Sequence, residues 1–185
     1  MKKIIIGFTG QLACGKGTAT SYLVEKYSAK QYKFSQILRD VLVRLHLEQS
    51  RDFMIKISET LRQTFGEDIL STVIARDAEK ESAEIVVVDG IRRLSDINHL
   101  MKLPNFILIA MEAKPEIRYA RLIKRGENAD DTTKTYEQFL ADHQRSTEIS
   151  IAEVVVKATE HLNNDGDLKN LQTQIDAIVK KYSTE

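Results

Sequence analysis

The sequence predicts an α/β fold, a buried parallel sheet with helices packed on both faces. Residues 3–8, 85–88 and 106–111 carry short, continuous, β-branched apolar runs, the pattern of strands buried on both sides. Longer stretches of helical periodicity separate these runs, so strands and helices alternate as in βαβ units. Four of the eight glycines (Gly7, Gly10, Gly15, Gly17) fall within the first 17 residues. Glycine is placed where backbone must turn to positive φ or approach a ligand closely, so a special loop follows the first strand.

In chain order, the strand at 3–8 leads through that loop into a helix over 16–27. Residues 31–34 form a weaker strand. Helical patterns then occupy 36–47, 51–65 and 67–80. The run at 85–88 stops at Asp89-Gly90, a turn-forming pair. Pro104 precedes the strand at 106–111, and Pro115 opens a helix over 115–125, where a missing N–H costs nothing. Another helix is expected over 133–145. The run at 151–158 is too short for periodicity to choose between strand and helix. A short strand near 160–163 and a helix over 167–181 complete the pattern. No linker, low-complexity segment or internal repeat interrupts it, and 185 residues suit one domain.

Composition narrows the function. Lys and Arg number 27, as do Asp and Glu, so the formal charge is zero. A nucleic-acid polymer binder would usually show a basic excess, and aromatics at 6% leave little for stacking on single strands. No apolar run approaches the roughly 20 residues that cross a bilayer, so no membrane partner is expected. Residues 1–6 are basic then apolar, but Gly7 ends that run too early for a secretory signal. One cysteine, Cys14, excludes an internal disulfide and fits a reducing compartment, so a cytoplasmic location is expected. His46, His99, His143 and His161 are scattered without metal-ligand spacing.

The chemistry begins at Gly10-Gln11-Leu12-Ala13-Cys14-Gly15-Lys16, which fits the phosphate-binding pattern GxxxxGK. A buried strand precedes it and an amphipathic helix follows, the order its mechanism needs. Glycines let successive N–H groups curl around an anion, and the helix N-terminus adds partial positive charge. Gly10, Ala13, Cys14, Gly15, Lys16, Gly17 and Thr18 are therefore the expected ATP contacts, with Lys16 reaching the β- and γ-phosphates. A glycine-rich turn without a ligand is the plainer alternative. Gly17 stands where the common form carries a Mg²⁺-ligating Ser or Thr, which leaves Thr18 as a candidate metal ligand. Cys14 reads as a small filler, although a helix N-terminus can lower a thiol's pKa.

Gly15-Lys16-Gly17-Thr18 resembles this loop in nucleoside monophosphate kinases of the adenylate kinase type, and further segments are similar. That resemblance implies a P-loop NTPase fold with a five-stranded parallel sheet, a helical acceptor-binding lobe over 36–82 and a short lid over 126–136. Tyr32 to Arg39 resembles the segment in which a hydroxyl residue, here Ser35, precedes the arginine that grips acceptor phosphate, here Arg39. Asp89-Gly90-Ile91-Arg92-Arg93 resembles Asp-Gly-x-Pro-Arg. It implies acceptor contacts at Asp89 and Arg93, with Arg92 standing where the pattern has proline, and Mg²⁺ held by Asp89. Arg121 and Arg125, four apart on one helix face, match arginines that converge on the transferring phosphoryl group. Asp130-Asp131 is similar to the lid's acidic pair. Asn128 replaces the lid arginine two residues earlier, and Arg145 is the candidate to supply that charge. Asn163 and Gly166 match an Asn-x-x-Gly loop that packs on donor adenine.

Residues 43–83 do not resemble the acceptor-base segment of that family. Phe65 to Leu70 is instead similar to a segment of dephospho-coenzyme A kinases, whose acceptor is a hydroxyl. The implied reaction is transfer of the ATP γ-phosphate to a nucleoside or deoxynucleoside monophosphate with Mg²⁺. The alternatives are dephospho-coenzyme A kinase-like chemistry, in which Asp89 becomes the general base, and a non-catalytic nucleotide-binding module. A GTPase is excluded by the missing Ser/Thr after Lys16 and the absence of DxxG and NKxD. The expected partners are ATP and a nucleotide-type acceptor, with the chain a monomer or small homo-oligomer.

Overall fold

A computed structural model describes residues 2–125, 131–142 and 146–183. Its sheet has five strands, all in parallel pairs: β1 (Ile4–Thr9), β2 (Lys30–Lys33), β3 (Ile85–Asp89), β4 (Phe106–Glu112) and β5 (Glu160–Asn163). Their order is β2-β3-β1-β4-β5. Every β1 residue is buried, as its unbroken apolar run requires. Alternation sends Ile4, Ile6 and Phe8 to one face of the sheet and Ile5 to the other. Gly7 leaves room for Ile91, whose Cδ1 would stand 2.6 Å from a Cβ placed there.

On one face lie α1 (Lys16–Tyr27) and α9 (Leu168–Ser183), which bury Ala19, Leu23, Leu171, Ile175 and Val179 against the sheet. The other face is covered by α2 (Phe34–Arg44), α4 (Ile69–Lys80), the short α5 (Leu94–Ile97) and α8 (Ser146–Val155). Helix α3 (Arg51–Phe65) packs outside them on α2 and α4. Helices α6 (Pro115–Arg125) and α7 (Tyr136–Asp142) form an arm in which Tyr119, Tyr136 and Phe139 pack ring against ring. Among the described residues no helix is long and apolar enough to cross a membrane.

Local chemistry moves several boundaries from their sequence expectations. The helix expected over 36–47 begins at Phe34, buried under the sheet edge, and ends at Arg44. His46 turns to φ 56 and Leu47 N–H donates back to the Leu42 carbonyl, which stops the helix. The helix expected over 67–80 begins at Ile69. The stretch expected as a helix from 133 starts at Tyr136, because Thr135 and Gln138 exchange side-chain and backbone hydrogen bonds. The undecided run at 151–158 is helical through Val155. The short helix Leu94–Ile97 was not expected; its cause is Asp96.

Candidate nucleotide-binding site

In a parallel sheet all strands end on the same edge, and a ligand crevice forms where strand order reverses. Here that point is the end of β1, with β3 on one side and β4 on the other. The loop from Gly10 to Gly15 occupies it. Three of its residues have positive φ: Gly10 (143°), Ala13 (60°) and Gly15 (106°). Ala13 in that region is a strained backbone that the surrounding loop imposes. Such turns direct successive amides inward, the geometry of an anion nest.

Two glycines are required by the protein itself. A Cβ on Gly10 would collide with the Met111 carbonyl oxygen, and one on Gly15 with the Asn164 side-chain amide. Gly17 differs, since a Cβ there would meet nothing within 4 Å. Lys16 folds over the loop and donates from Nζ to the carbonyls of Gly10 at 2.6 Å and Gln11 at 3.0 Å. Thr18 is exposed on the first turn of α1. Cys14 is 1% exposed and belongs to the core, which suits a filler.

Two residues that sequence reading passed over hold this loop. Asn164, 5% exposed, donates from Nδ2 to the Cys14 carbonyl at 2.8 Å, and its backbone N–H donates to Glu112. Asn163 is exposed and pairs with Asp165. The signal was present: Leu162 and Asn164 are two apart, hence on the same buried side of β5. Arg118 is 2% exposed, donates to Ala113 and Leu12 carbonyls, and lies over the Phe139 ring at 5.3 Å. It shares a helix face with buried Leu122, four residues on. A cavity of about 310 Å³ opens beside the loop, lined by Gly10, Gln11, Met111, Arg118, Ile151 and Val155 among others.

We expect Asn164→Leu to leave the Cys14 carbonyl unpartnered inside the protein. The expected loss is roughly 1–3 kcal/mol of stability, read by chemical denaturation, together with weaker ATP binding.

The remaining described residues that the sequence predicts lie on α2, on α6, at the end of β3 and in the turns after β3 and β5. Arg121 extends Nη2 to within 3.5 Å of the Gly166 carbonyl, while its buried Nη1 has no hydrogen-bond partner among the described residues. Arg125 is exposed one turn further on α6. The Lys114 amide donates to Asp165 at 2.8 Å and holds that carboxyl below the ordinary carboxylate range. Asp89 ends β3, and Gln31 Nε2 donates to it at 3.4 Å. Ser35 and Arg39 lie on α2, and Arg92 and Arg93 are exposed in the turn after β3. A Cβ placed on Gly90 of that turn would lie 3.9 Å from Phe34 Cβ at the head of α2, and Lys33 pairs with Asp89 across β2 and β3, so these two segments adjoin. Arg145 and residues 126–130, with Asn128 and Asp130 in the expected lid, lie outside the described residues.

Among the described residues no three His, Cys, Asp or Glu side chains gather as a metal site. Mg²⁺ that arrives with a nucleotide needs few protein ligands, because phosphates and water fill most of its octahedron. The Asp89 carboxylate, with its long hydrogen bond, and the exposed Thr18 hydroxyl are oxygen donors of the kind such an ion takes.

A strand, a glycine-walled loop, an overhanging lysine and a helix N-terminus at the reversal of a parallel sheet define a P-loop protein of kinase-like fold. The chain belongs to the AAA domain family, whose profile matches residues 9–138. Its relatives include a UPF0200 protein of Sulfurisphaera tokodaii, 29% identical over 177 residues that make up 96% of each chain. A UPF0200 protein of Methanocaldococcus jannaschii is 27% identical over 180 residues, 96% of this chain and 90% of that one. Among solved structures, TT1252 from Thermus thermophilus superposes with a TM-score of 0.58 at 19% identity, covering 98% of both chains. Shikimate kinase from Bacteroides thetaiotaomicron superposes with a TM-score of 0.53 at 14% identity, covering 97% of this chain and 98% of that one. At these identities the superpositions speak for the fold alone.

Proposed function

We propose that this protein is an ATP-dependent kinase that transfers the γ-phosphoryl group to a nucleoside or deoxynucleoside monophosphate. One observation carries the reading. The Lys16 loop and the Asp89–Arg93 turn follow hydrogen-bonded neighbouring strands, and that turn rests on the head of the helix bearing Ser35 and Arg39. Donor-phosphate and acceptor-phosphate cations thus share one edge.

Both substrates are anionic, so positioning and charge neutralisation supply most of the rate. The loop amides and Lys16 take the donor phosphates, with Gly10, Ala13, Cys14, Gly15, Gly17 and Thr18 forming the cradle. Arg39, Arg92 and Arg93 take the acceptor phosphate; a planar guanidinium suits its oxygens better than an ammonium does. Arg121, Arg125 and Arg145 attend the transferring group, and the Asn163–Gly166 turn borders the donor base. Asp89 and Thr18 would help hold Mg²⁺, which would supply charge neutralisation at the donor phosphates. An acceptor phosphate oxygen is already deprotonated near pH 7, so no general base is needed.

The test is ADP release in a coupled assay with AMP, CMP, UMP, GMP, dTMP and dephospho-coenzyme A as acceptors. Turnover with at least one monophosphate is expected. Turnover with dephospho-coenzyme A alone would favour the second reading, for which Asp89, which accepts a long hydrogen bond from Gln31, is the available base. ATP-induced thermal stabilisation without ADP release would favour the non-catalytic module. We expect Arg39→Ala to raise the acceptor KM roughly tenfold to a hundredfold, the worth of a charge-assisted hydrogen bond, and to leave the ATP KM nearly unchanged. Equal effects on both substrates would remove Arg39 from the acceptor site.

A further inference from the structure

We infer that Asp96 and Arg62 are positioning residues for the acceptor-phosphate site: a buried carboxylate–guanidinium pair that sets the turn carrying Arg92 and Arg93. The inference rests on the kinase reading and extends it into the helical lobe.

The turn is anchored on its near side by packing. The chain leaves β3 at Asp89, reverses at Gly90 with φ 91°, and buries Ile91 over Gly7 of β1. On its far side one carboxylate does the anchoring. Asp96 Oδ2 accepts the backbone N–H groups of both Arg92 and Arg93, each at 3.0 Å. Asp96 Oδ1 accepts from Arg62 Nη2 at 2.8 Å. A proline at 92, as in the pattern this segment resembles, would offer no N–H; here that N–H exists and Asp96 binds it.

Arg62 comes from α3, in the segment that resemblance left unassigned. Its Nη1 donates to Ser95 Oγ at 3.2 Å and to the Glu67 carbonyl in the turn between α3 and α4. The side chains of Arg62 and Asp96 are 8% and 5% exposed, so bulk water does little to screen the pair. One guanidinium therefore ties the lobe, the turn after it and the head of α5 to the segment that carries two exposed arginines.

The charge arrangement bears on function as well as shape. An unpaired carboxylate three residues from Arg93 would attract the arginines meant for phosphate. With its oxygens turned to two amides and to Arg62, Asp96 is neutralised from behind. The Arg92 and Arg93 side chains stay exposed at the sheet edge, their starting directions set by amides that cannot drift. Preorganised cations bind an anion at lower entropic cost than cations on a loose turn.

The test uses the full chain with Asp96→Leu, Arg62→Met and the double variant. Each is assayed with ATP and with the panel monophosphate that the wild type phosphorylates fastest, and each is melted in parallel. Either single change leaves a buried charge unpaired, so lower melting temperatures are expected for both. The double change removes both charges and should recover much of that loss. The acceptor KM separates positioning from stability: it should rise about tenfold or more in all three variants, double included, with the ATP KM nearly unchanged. Wild-type acceptor KM in the double variant, or single variants that lose only active fraction and hence kcat, would overturn the inference. Should the wild type phosphorylate no member of the panel, the kinase reading itself falls, an outcome distinct from these.

Discussion

Lys16→Ala is expected to lower phosphoryl transfer about a hundredfold to a thousandfold while leaving the fold in place. The magnitude is that of removing one fixed charge or donor aimed at developing negative charge in a water-poor site. The fold should survive because Nζ bonds to the carbonyls of Gly10 and Gln11 and more loosely to Cys14 Sγ at 3.6 Å, at a half-exposed position where water can replace it. The stability change should be about 1 kcal/mol or less. The two carbonyl bonds explain why the lysine is already over the loop: the carbonyls hold it there, and a triphosphate bound as proposed would compete for it with full negative charge. Purified variant and wild type are compared for single-turnover rate, ATP affinity and melting temperature. Undiminished turnover in a folded Lys16→Ala protein would remove the phosphate-loop reading and every assignment built on it.

How much of this could be read from residues alone differs by element. The central strands were legible because a strand buried on both faces must be apolar at every position, as Ile4 to Ile6 and Ile85 to Val88 are. The loop was legible because its glycines answer local demands that few other residues meet. What stayed hidden depends on long-range pairing. Asp96 acts on Arg62, 34 residues earlier, and Asn164 acts on Cys14, 150 residues earlier. Neither partner announces the other in a local window. Asn163 drew attention through a motif register, whereas the neighbour that touches the loop was decided by which side of β5 faces inward. Boundaries erred where a side chain overrode periodicity, as at Thr135 with Gln138 and at His46. Arg118 was hidden for a different reason. An arginine on a helix that also carries Arg121, Lys124 and Arg125 looks solvated until the carbonyls that receive it, Leu12 and Ala113, are brought near by the fold.

Gly10→Ala and Gly17→Ala form a matched pair that separates what the protein needs from what the ligand needs. At Gly10 the backbone has φ 143°, which side-chain-bearing residues rarely adopt, and the new Cβ would strike the Met111 carbonyl oxygen and come 2.9 Å from Cys14 Sγ. Met111 has no freedom to withdraw. Its strand is paired with β1 through Thr9↔Ala110 and with β5 through Met111↔Leu162. The loop must therefore move off the sheet edge, at a cost of roughly 2–5 kcal/mol from backbone strain and overpacking together, with loss of ATP binding. At Gly17 a methyl group meets open space on the second residue of α1, and alanine is the better helix former, so stability should hold or rise by a few tenths of a kcal/mol. Any drop in ATP affinity of Gly17→Ala is then caused by the ligand pressing on that methyl group. Denaturation curves and ATP titrations of both variants decide the matter. If Gly10→Ala keeps wild-type stability and ATP affinity, the loop is not clamped against β4 as described, and the cradle loses its physical basis.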